Sequence, residues 1–285
     1  MGTVLALISA VFGASKDLVS KKLSFGVDGI VSAFASFLFA LPFYLIILLV
    51  MLLSTGYSPR LTETFLWLVV LRSVTDAAAE WMKMSALRHG DISLLAPFFS
   101  LSPLFLLVLS PFLTGDVLTP LGVFAVSLIV AGTLLIVPNE ESAGSKLQYR
   151  GILLSLGSSF LMALNICFDR LAVQQADALI SGFAMTLLSG VLLLPLALKR
   201  GALYPKLRMN LGDYTLRGLF EVAFMVSKLW ALNFLSAPYV AGLLRVSVLF
   251  SIMGGRMLYQ EGDFKRRLLA GVTIIAGAAL IILES

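Results

Sequence analysis

Long apolar runs separated by short polar breaks dominate the pattern of this chain. Ten runs lie near residues 2–20, 29–53, 64–87, 92–113, 117–138, 151–171, 178–198, 214–235, 238–258 and 268–283. Crossing a bilayer as a helix takes about 17–25 mostly apolar residues, which these runs supply. The breaks carry turn or charge signals: SKKLSFGVD, STGYSPRLTE, LRHGD, TGDVLTP, PNEESAGSKLQYR, KRGALYPKLRMNLGD and YQEGDFKRR. The pattern predicts an all-α polytopic membrane protein of ten transmembrane helices. No break is longer than about 15 residues, so no appended soluble domain is expected. The first run has no basic segment ahead of it and leads straight into further spans, which predicts a retained helix rather than a cleaved signal.

Composition agrees with that reading. Of 285 residues, 59% are hydrophobic and 13% charged, and the mean hydropathy is +0.98. Soluble domains are about 45–50% apolar. The single cysteine, Cys167, lies inside the sixth run and has no internal disulfide partner. The net charge of +5 comes from loop lysines and arginines, which mark the cytoplasmic side of a membrane protein rather than a nucleic-acid surface. Loops after odd-numbered runs hold Lys21, Lys22, Arg88, Lys146, Arg150, Lys199, Arg200, Lys206, Arg208, Lys265, Arg266 and Arg267. Loops after even-numbered runs offer Arg60 and, at a helix edge, Arg170. Charge counting therefore places the odd loops in the cytoplasm and both chain ends outside.

The chain also repeats itself. GTVLALISAVFGASKDLVSKKLSFGVDGIVSAFA aligns without a gap to GILLSLGSSFLMALNICFDRLAVQQADALISGFA, so that Gly2 meets Gly151, Ser9 meets Ser158 and Asp28 meets Asp177. Four fewer residues separate the later matches, where Arg72 meets Arg217, Asp76 meets Glu221 and Lys83 meets Lys228. At the ends of the halves IVAGTLLIV meets IIAGAALIIL. Apolar helices resemble each other by composition, but matched charges inside apolar runs do not arise that way. The expected organisation is a first five-helix repeat over 1–138, a linker over 139–150 and a second five-helix repeat over 151–285. Five is odd, so the second repeat enters the membrane from the opposite side. Inverted repeats of this kind recur in transporters, with the substrate site near the midplane between them.

Two stretches resemble the drug/metabolite transporter superfamily in its EamA-type branch. They are ALRHGDISLLAPFFSLSPLFLLVLSPFLTGDVLTPLGVFAVSLIVAGTLLIV (86–137) and ALNFLSAPYVAGLLRVSVLFSIMGGRMLYQEGDF…GVTIIAGAALIIL (231–283). Each has a helix rich in proline and small residues, an acidic turn (Gly115–Asp116, Gln260–Glu261) and a final helix with Ala-Gly. The resemblance covers nearly the whole chain and concerns the fold, not the substrate. It implies ten helices around a central cavity that opens to alternate sides, with the fifth and tenth at the periphery. It also implies a secondary active transporter of a small metabolite. Members of the family are drawn with cytoplasmic ends, opposite to the charge count.

Charge inside the apolar runs points to the candidate site. Arg72, Asp76, Glu80 and Lys83 are spaced so that they form one stripe on a helix, and Arg217, Glu221 and Lys228 repeat it with Met225 in place of Glu80. One charged residue facing lipid at the bilayer centre costs about 2.5–3.5 kcal/mol, so the stripes are expected to face inward. Two readings stay open at this point. Asp76 with Arg72, and Glu221 with Arg217, are spaced as structural ion pairs; Lys83 and Lys228 have no acid at i±4, although Glu80 stands three residues before Lys83, Arg245 has no local acid, and all three are expected to contact a ligand. Glu80, Asn165 and Trp81 are further candidates for substrate contact, with Asn165 at the position equivalent to Lys16. Lys16 and Asp17 join the ion-pair or proton-coupling set, while Asp169 and Arg170 are read as structural residues at the membrane interface.

Six buried cations (Lys16, Arg72, Lys83, Arg217, Lys228, Arg245) face four acids (Asp17, Asp76, Glu80, Glu221). This positive excess favours anionic or zwitterionic substrates such as amino acids, organic acids or phosphorylated metabolites, with proton coupling or exchange as the drive. A lipid-linked substrate or an organic cation is the alternative within the same class. Pro97, Pro103 and Pro111 mark the fourth run as a bending or cavity-lining helix. GVTIIAGAAL on the last run permits close packing, a candidate contact in a homodimer as against a monomer. An enzyme is not expected: His89 is the only histidine and sits in a loop, Cys167 is alone, and no HExxH or P-loop occurs. No filter-like repeated loop points to a channel. No cofactor, metal or nucleic acid is expected; the partners are a small-molecule substrate and the bilayer, in a multi-pass protein of a prokaryotic cytoplasmic membrane.

Orientation gives a direct prediction. With Cys167 replaced by alanine, a cysteine at Ser145 should react with a membrane-impermeant maleimide only after cells are broken. One at Gly56 should react in intact cells. The reverse labelling would place both chain ends in the cytoplasm.

Overall fold

The structure, a computed structural model, describes residues 1–24, 29–55, 61–86, 98–99, 101–135, 146–201, 203–247, 249–250 and 264–284. The described helices are α1 (Gly2–Ser24), α2 (Gly29–Thr55), α3 (Glu63–Ala86), α4 (Ser102–Leu113), α5 (Pro120–Leu135), α6 (Lys146–Gln175), α7 (Ala178–Lys199), α8 (Leu203–Met209), α9 (Leu211–Leu232), α10 (Ala237–Leu244) and α11 (Phe264–Glu284). No strand occurs among the described residues. Each predicted run has a helix, and α8 is an additional short helix in the break before the eighth run. Pro97, His89, Gln260 and Glu261 lie outside the described residues, as do 92–97 and 251–258 of the fourth and ninth runs.

Residues 2–20, 30–54, 149–175 and 178–199 are helices both long and apolar enough to cross a bilayer. The 24 residues of α3 and the 22 of α9 have the length, about 33–36 Å at 1.5 Å per residue. Their charged stripes are what set them apart from a plain apolar span.

The most extensive helix contacts run between the two halves rather than within them: α3 with α6, α5 with α11, α1 with α9, α2 with α9, α2 with α7 and α3 with α7. These pairs obey a pseudo-two-fold relation. Exchanging the halves turns α3–α6 into α9–α1 and α7–α3 into α2–α9, and maps α5–α11 and α2–α7 onto themselves. Two hydrogen bonds repeat across that axis. The Ser9 hydroxyl donates to the Phe224 carbonyl at 2.8 Å, and the Ser158 hydroxyl donates to the Ala79 carbonyl at 2.9 Å. Ser9 and Ser158 are the serines that the repeat alignment matches, and Phe224 and Ala79 share the later register. The core is therefore the seam between the repeats.

Small residues on α11 pack against α5 inside the chain. Ala270, Ile274, Ala278 and Ile281 are buried. A Cβ on Gly277 would stand 2.6 Å from Ile129 Cγ1 and 2.7 Å from the Ala125 carbonyl oxygen on α5. The two Ala-Gly stretches of equal repeat register thus face each other across the α5–α11 contact.

The acidic turn of the first half is a clamp. Asp116 accepts from the Ala237 backbone N–H at 3.0 Å and pairs with Arg170 at 2.7 Å. It also receives the hydroxyls of Ser110 and Thr114. Arg170 in turn donates to the carbonyls of Leu232 and Leu235. This ties α4, α6, α9 and α10 together at one place, in keeping with the structural role expected of Arg170. Beyond the clamp, α10 ends at Leu244 in consecutive i→i+3 bonds from Arg245, Val246 and, after them, Leu249. Arg245, expected near the middle of the ninth helix, sits at this tightened turn, and residues 247, 249 and 250 beyond it are again helical.

Replacing Gly277 by alanine should lower the midpoint of thermal unfolding in detergent, because the Ala125 backbone cannot move aside. An added methylene in such a place costs about 1–3 kcal/mol. Gly212→Ala, with open space around the site, should leave the midpoint unchanged or raise it.

Candidate functional site

Charges on three helices, joined by a serine of a fourth, meet in a buried network centred on Asp169. Asp169 lies on α6 and is fully buried. Its Oδ1 accepts from Arg72 Nε at 3.1 Å and its Oδ2 from Lys228 Nζ at 2.7 Å. Arg72 Nη1 reaches Asp76 Oδ2 at 2.8 Å, one turn along α3. Asp76 also accepts from Asn165 Nδ2 at 3.1 Å and from the Ser189 hydroxyl of α7 at 3.3 Å. The Thr75 hydroxyl donates to Asn165 Oδ1. Two cations and two anions balance, and nearly every polar atom has a partner, the condition under which charges remain stable away from water.

The pseudo-two-fold axis relates part of this network to a second one. Lys16 Nζ lies 3.2 Å from Glu221 Oε2, and Ser36 donates to the same oxygen at 3.0 Å. By repeat register Lys16 corresponds to Asn165 and Glu221 to Asp76, so the same contact is ionic in one half and neutral in the other. The Phe224 ring lies between the networks, 4.3 Å from Lys16 Nζ and 5.4 Å from Lys228 Nζ. Both ammonium groups are thereby held against one aromatic face.

The remaining charges are less fully engaged. Arg217 Nη1 donates to the Ser32 carbonyl and, at 2.8 Å, to its hydroxyl. Its Nε is buried with no partner among the described residues. The expected Arg217–Glu221 pair does not form, because Glu221 is taken by Lys16 across the α1–α9 seam and Arg217 turns toward α2. Lys83 is 42% exposed and reaches Glu80 at 4.0 Å. Arg245 Nη2 donates to the Ser102 hydroxyl at 2.7 Å. Asp17 is exposed and has no ion pair within 4 Å among the described residues. Asp17, Glu80, Lys83, Arg217 and Arg245 are thus the loosely paired charges, outside the closed network. Trp81 is half-exposed on α3.

Two expectations change. Lys228, predicted to be available to a ligand, is bonded to a protein carboxylate. Asp169, predicted to lie at the membrane interface, is the centre of the closed network. Its inclusion brings the charges counted in the apolar runs to six cations against five acids, so the positive excess narrows and sits on the loosely paired side. Intrahelical spacing gave no hint of Asp169, because its partners come from α3 and α9. The repeat alignment held the available signal: it sets an aspartate against Ser20.

Comparison with known proteins follows this geometry. The model of the EamA-like transporter family matches residues 1–137 and 149–283. The fold superposes on a solved protein crystal structure with a TM-score of 0.81 at 14% sequence identity, over 99% of this chain and 96% of the other. Among curated proteins none matches this sequence.

Asp169→Asn should be strongly destabilising, because it leaves Arg72 and Lys228 facing each other without a central anion. Breaking a buried pair from one side costs about 3–5 kcal/mol. Glu80→Gln, beside the half-exposed Lys83, should shift the unfolding midpoint little. Thermal melts of the two purified variants in one detergent decide between these outcomes.

Proposed function

The chain belongs to the EamA-like transporter family, within the drug/metabolite transporter superfamily, and we propose that it moves a small carboxylate-bearing metabolite, anionic or zwitterionic, by alternating access across ten spans. The observation that carries this reading is the contrast between the two charged groups. One network is neutral, buried and closed. Beside it, Arg217, Lys83 and Arg245 keep donor capacity that no carboxylate among the described residues takes up at short range. Incompletely paired cations on membrane-spanning helices favour a ligand that brings its own negative charge.

Asp17 and Glu80 belong to the same loosely paired group, which accommodates an ammonium on the ligand or a coupled proton. Asp76 and Glu221 already sit against cations, so Asp17 and Glu80 are the candidates for coupling. The same two acids also support the second reading, export of an organic cation. Neither an enzyme nor an ATP-driven pump is proposed, since the family is one of transporters.

Counterflow in proteoliposomes tests the proposal, using radiolabelled amino acids, dicarboxylates, sugar phosphates and organic cations. Carboxylates should be accumulated, and Arg245→Ala and Lys83→Ala should each lower the rate at least tenfold. Accumulation of cations alone, or undiminished rates in both variants, would overturn it.

A further inference from the structure

We infer a carboxylate-binding seat between Arg217 Nε and Lys83 Nζ, the counterpart across the pseudo-two-fold axis of the place where Asp169 sits between Arg72 Nε and Lys228 Nζ. Repeat register makes Arg217 the equivalent of Arg72, Lys83 the equivalent of Lys228, and Ser20 the equivalent of Asp169. The Asp169 carboxylate is therefore an internal example of what such a pair of cations holds. It takes one donor from each cation, at 3.1 and 2.7 Å.

In the other half the acid is missing and the cations remain. Ser20 cannot replace it, because its hydroxyl is short and donates back to the Lys16 carbonyl at 2.7 Å. The two atoms that would have met an acid are those left wanting. Arg217 Nε, matching the nitrogen that Arg72 gives to Asp169, is buried without a partner among the described residues. Lys83 Nζ, matching the nitrogen that Lys228 gives, has a carboxylate oxygen at 4.0 Å instead of 2.7 Å.

Two further substitutions adapt this half to a ligand. Asp17 stands where the closed half has Ile166, and Glu80 where it has Met225. Glu80 approaches Lys83 at 4.0 Å, and neither acid pairs with Arg217 among the described residues. The seat is thus flanked by negative charge that compensates the cations while it is empty and suits an ammonium on the same ligand when it is filled. Acetate-like and amino-acid-like molecules share the recognised group, a single carboxylate accepting from a guanidinium and an ammonium.

The inference rests on the transporter reading only in identifying the bound carboxylate with the substrate. Ser20→Asp would supply the missing acid and fill the seat from within. In thermal-shift titrations of the purified full chain with acetate, succinate and L-alanine, the wild type should be stabilised by at least one of them. Ser20→Asp should melt at a higher temperature than wild type and lose the ligand response, at least tenfold in apparent Kd. Ser20→Asn should keep the response. Lys83→Gln should lose it even if Ser20→Asp does not fold. A wild type indifferent to all three carboxylates would overturn the seat. A response to inorganic phosphate alone would do so too, as would a full carboxylate response in Ser20→Asp or Lys83→Gln. Counterflow separates the two readings: transport that survives intact in Lys83→Gln removes the seat and leaves the transporter, whereas binding lost as described without transport of any panel compound leaves the seat and removes the transporter.

Discussion

A charge inside a bilayer must find its counter-charge within the protein, and the packing of this molecule follows from that constraint. Asp169 is fully buried. It is stable there because Arg72 comes from one helix and Lys228 from another, one cation to each of its oxygens. Neither cation belongs to the helix that carries the acid. The interaction therefore sets the position of α3, α6 and α9 relative to one another, where apolar contacts between helices in lipid discriminate weakly. Asn165 and Ser189 complete the shell around Asp76 and bring α7 into the same unit.

The duplication supplies the scaffold, and departures from it supply the chemistry. The paired hydrogen bonds of Ser9 and Ser158 keep the two seams alike. At the charged level the likeness ends. Lys16 with Glu221 is an ion pair, and its counterpart Asn165 with Asp76 is a neutral donor on a carboxylate. Each cation of the stripes persists in both halves, but the central acid does not. A symmetric pair of closed networks would hold the protein together and offer a ligand nothing; a symmetric pair of open ones would leave too much charge unbalanced. One closed and one open network avoids both results.

Most of the fold was legible in the sequence because span length and repeat register are local properties. Hydropathy located a helix in every predicted run, and matched charges disclosed the duplication. The limits were equally physical. The small residues of the last run indicated close packing but not with what, and α5 proved to be the partner. Spacing along one helix revealed the Arg72–Asp76 pair, which is intrahelical. It suggested an Arg217–Glu221 pair that the neighbouring helices redirect, since Lys16 approaches Glu221 from α1 and Ser32 draws Arg217 toward α2. Asp169 looked like an end-of-span residue by position. Only the three-dimensional crossing of α3, α6 and α9 makes it central.

The same asymmetry bears on how the halves can move. In an inverted repeat, opening to the other side exchanges the arrangements of the two halves. Here a complete exchange would require Asp169 to leave Arg72 or Lys228, and separating a buried pair costs about 3–5 kcal/mol unless a new partner arrives. The loosely paired charges carry less of that cost: Lys83 stands 4.0 Å from its acid, and Arg217 is held only by the hydroxyl and carbonyl of Ser32. Motion that keeps the Asp169 network whole and rearranges the helix ends bearing Arg217, Lys83, Asp17 and Arg245 is therefore the less costly one. α9 carries Lys228 in the closed network and Arg217 and Glu221 outside it. It is the element through which a change at the loosely paired charges would reach the rigid unit.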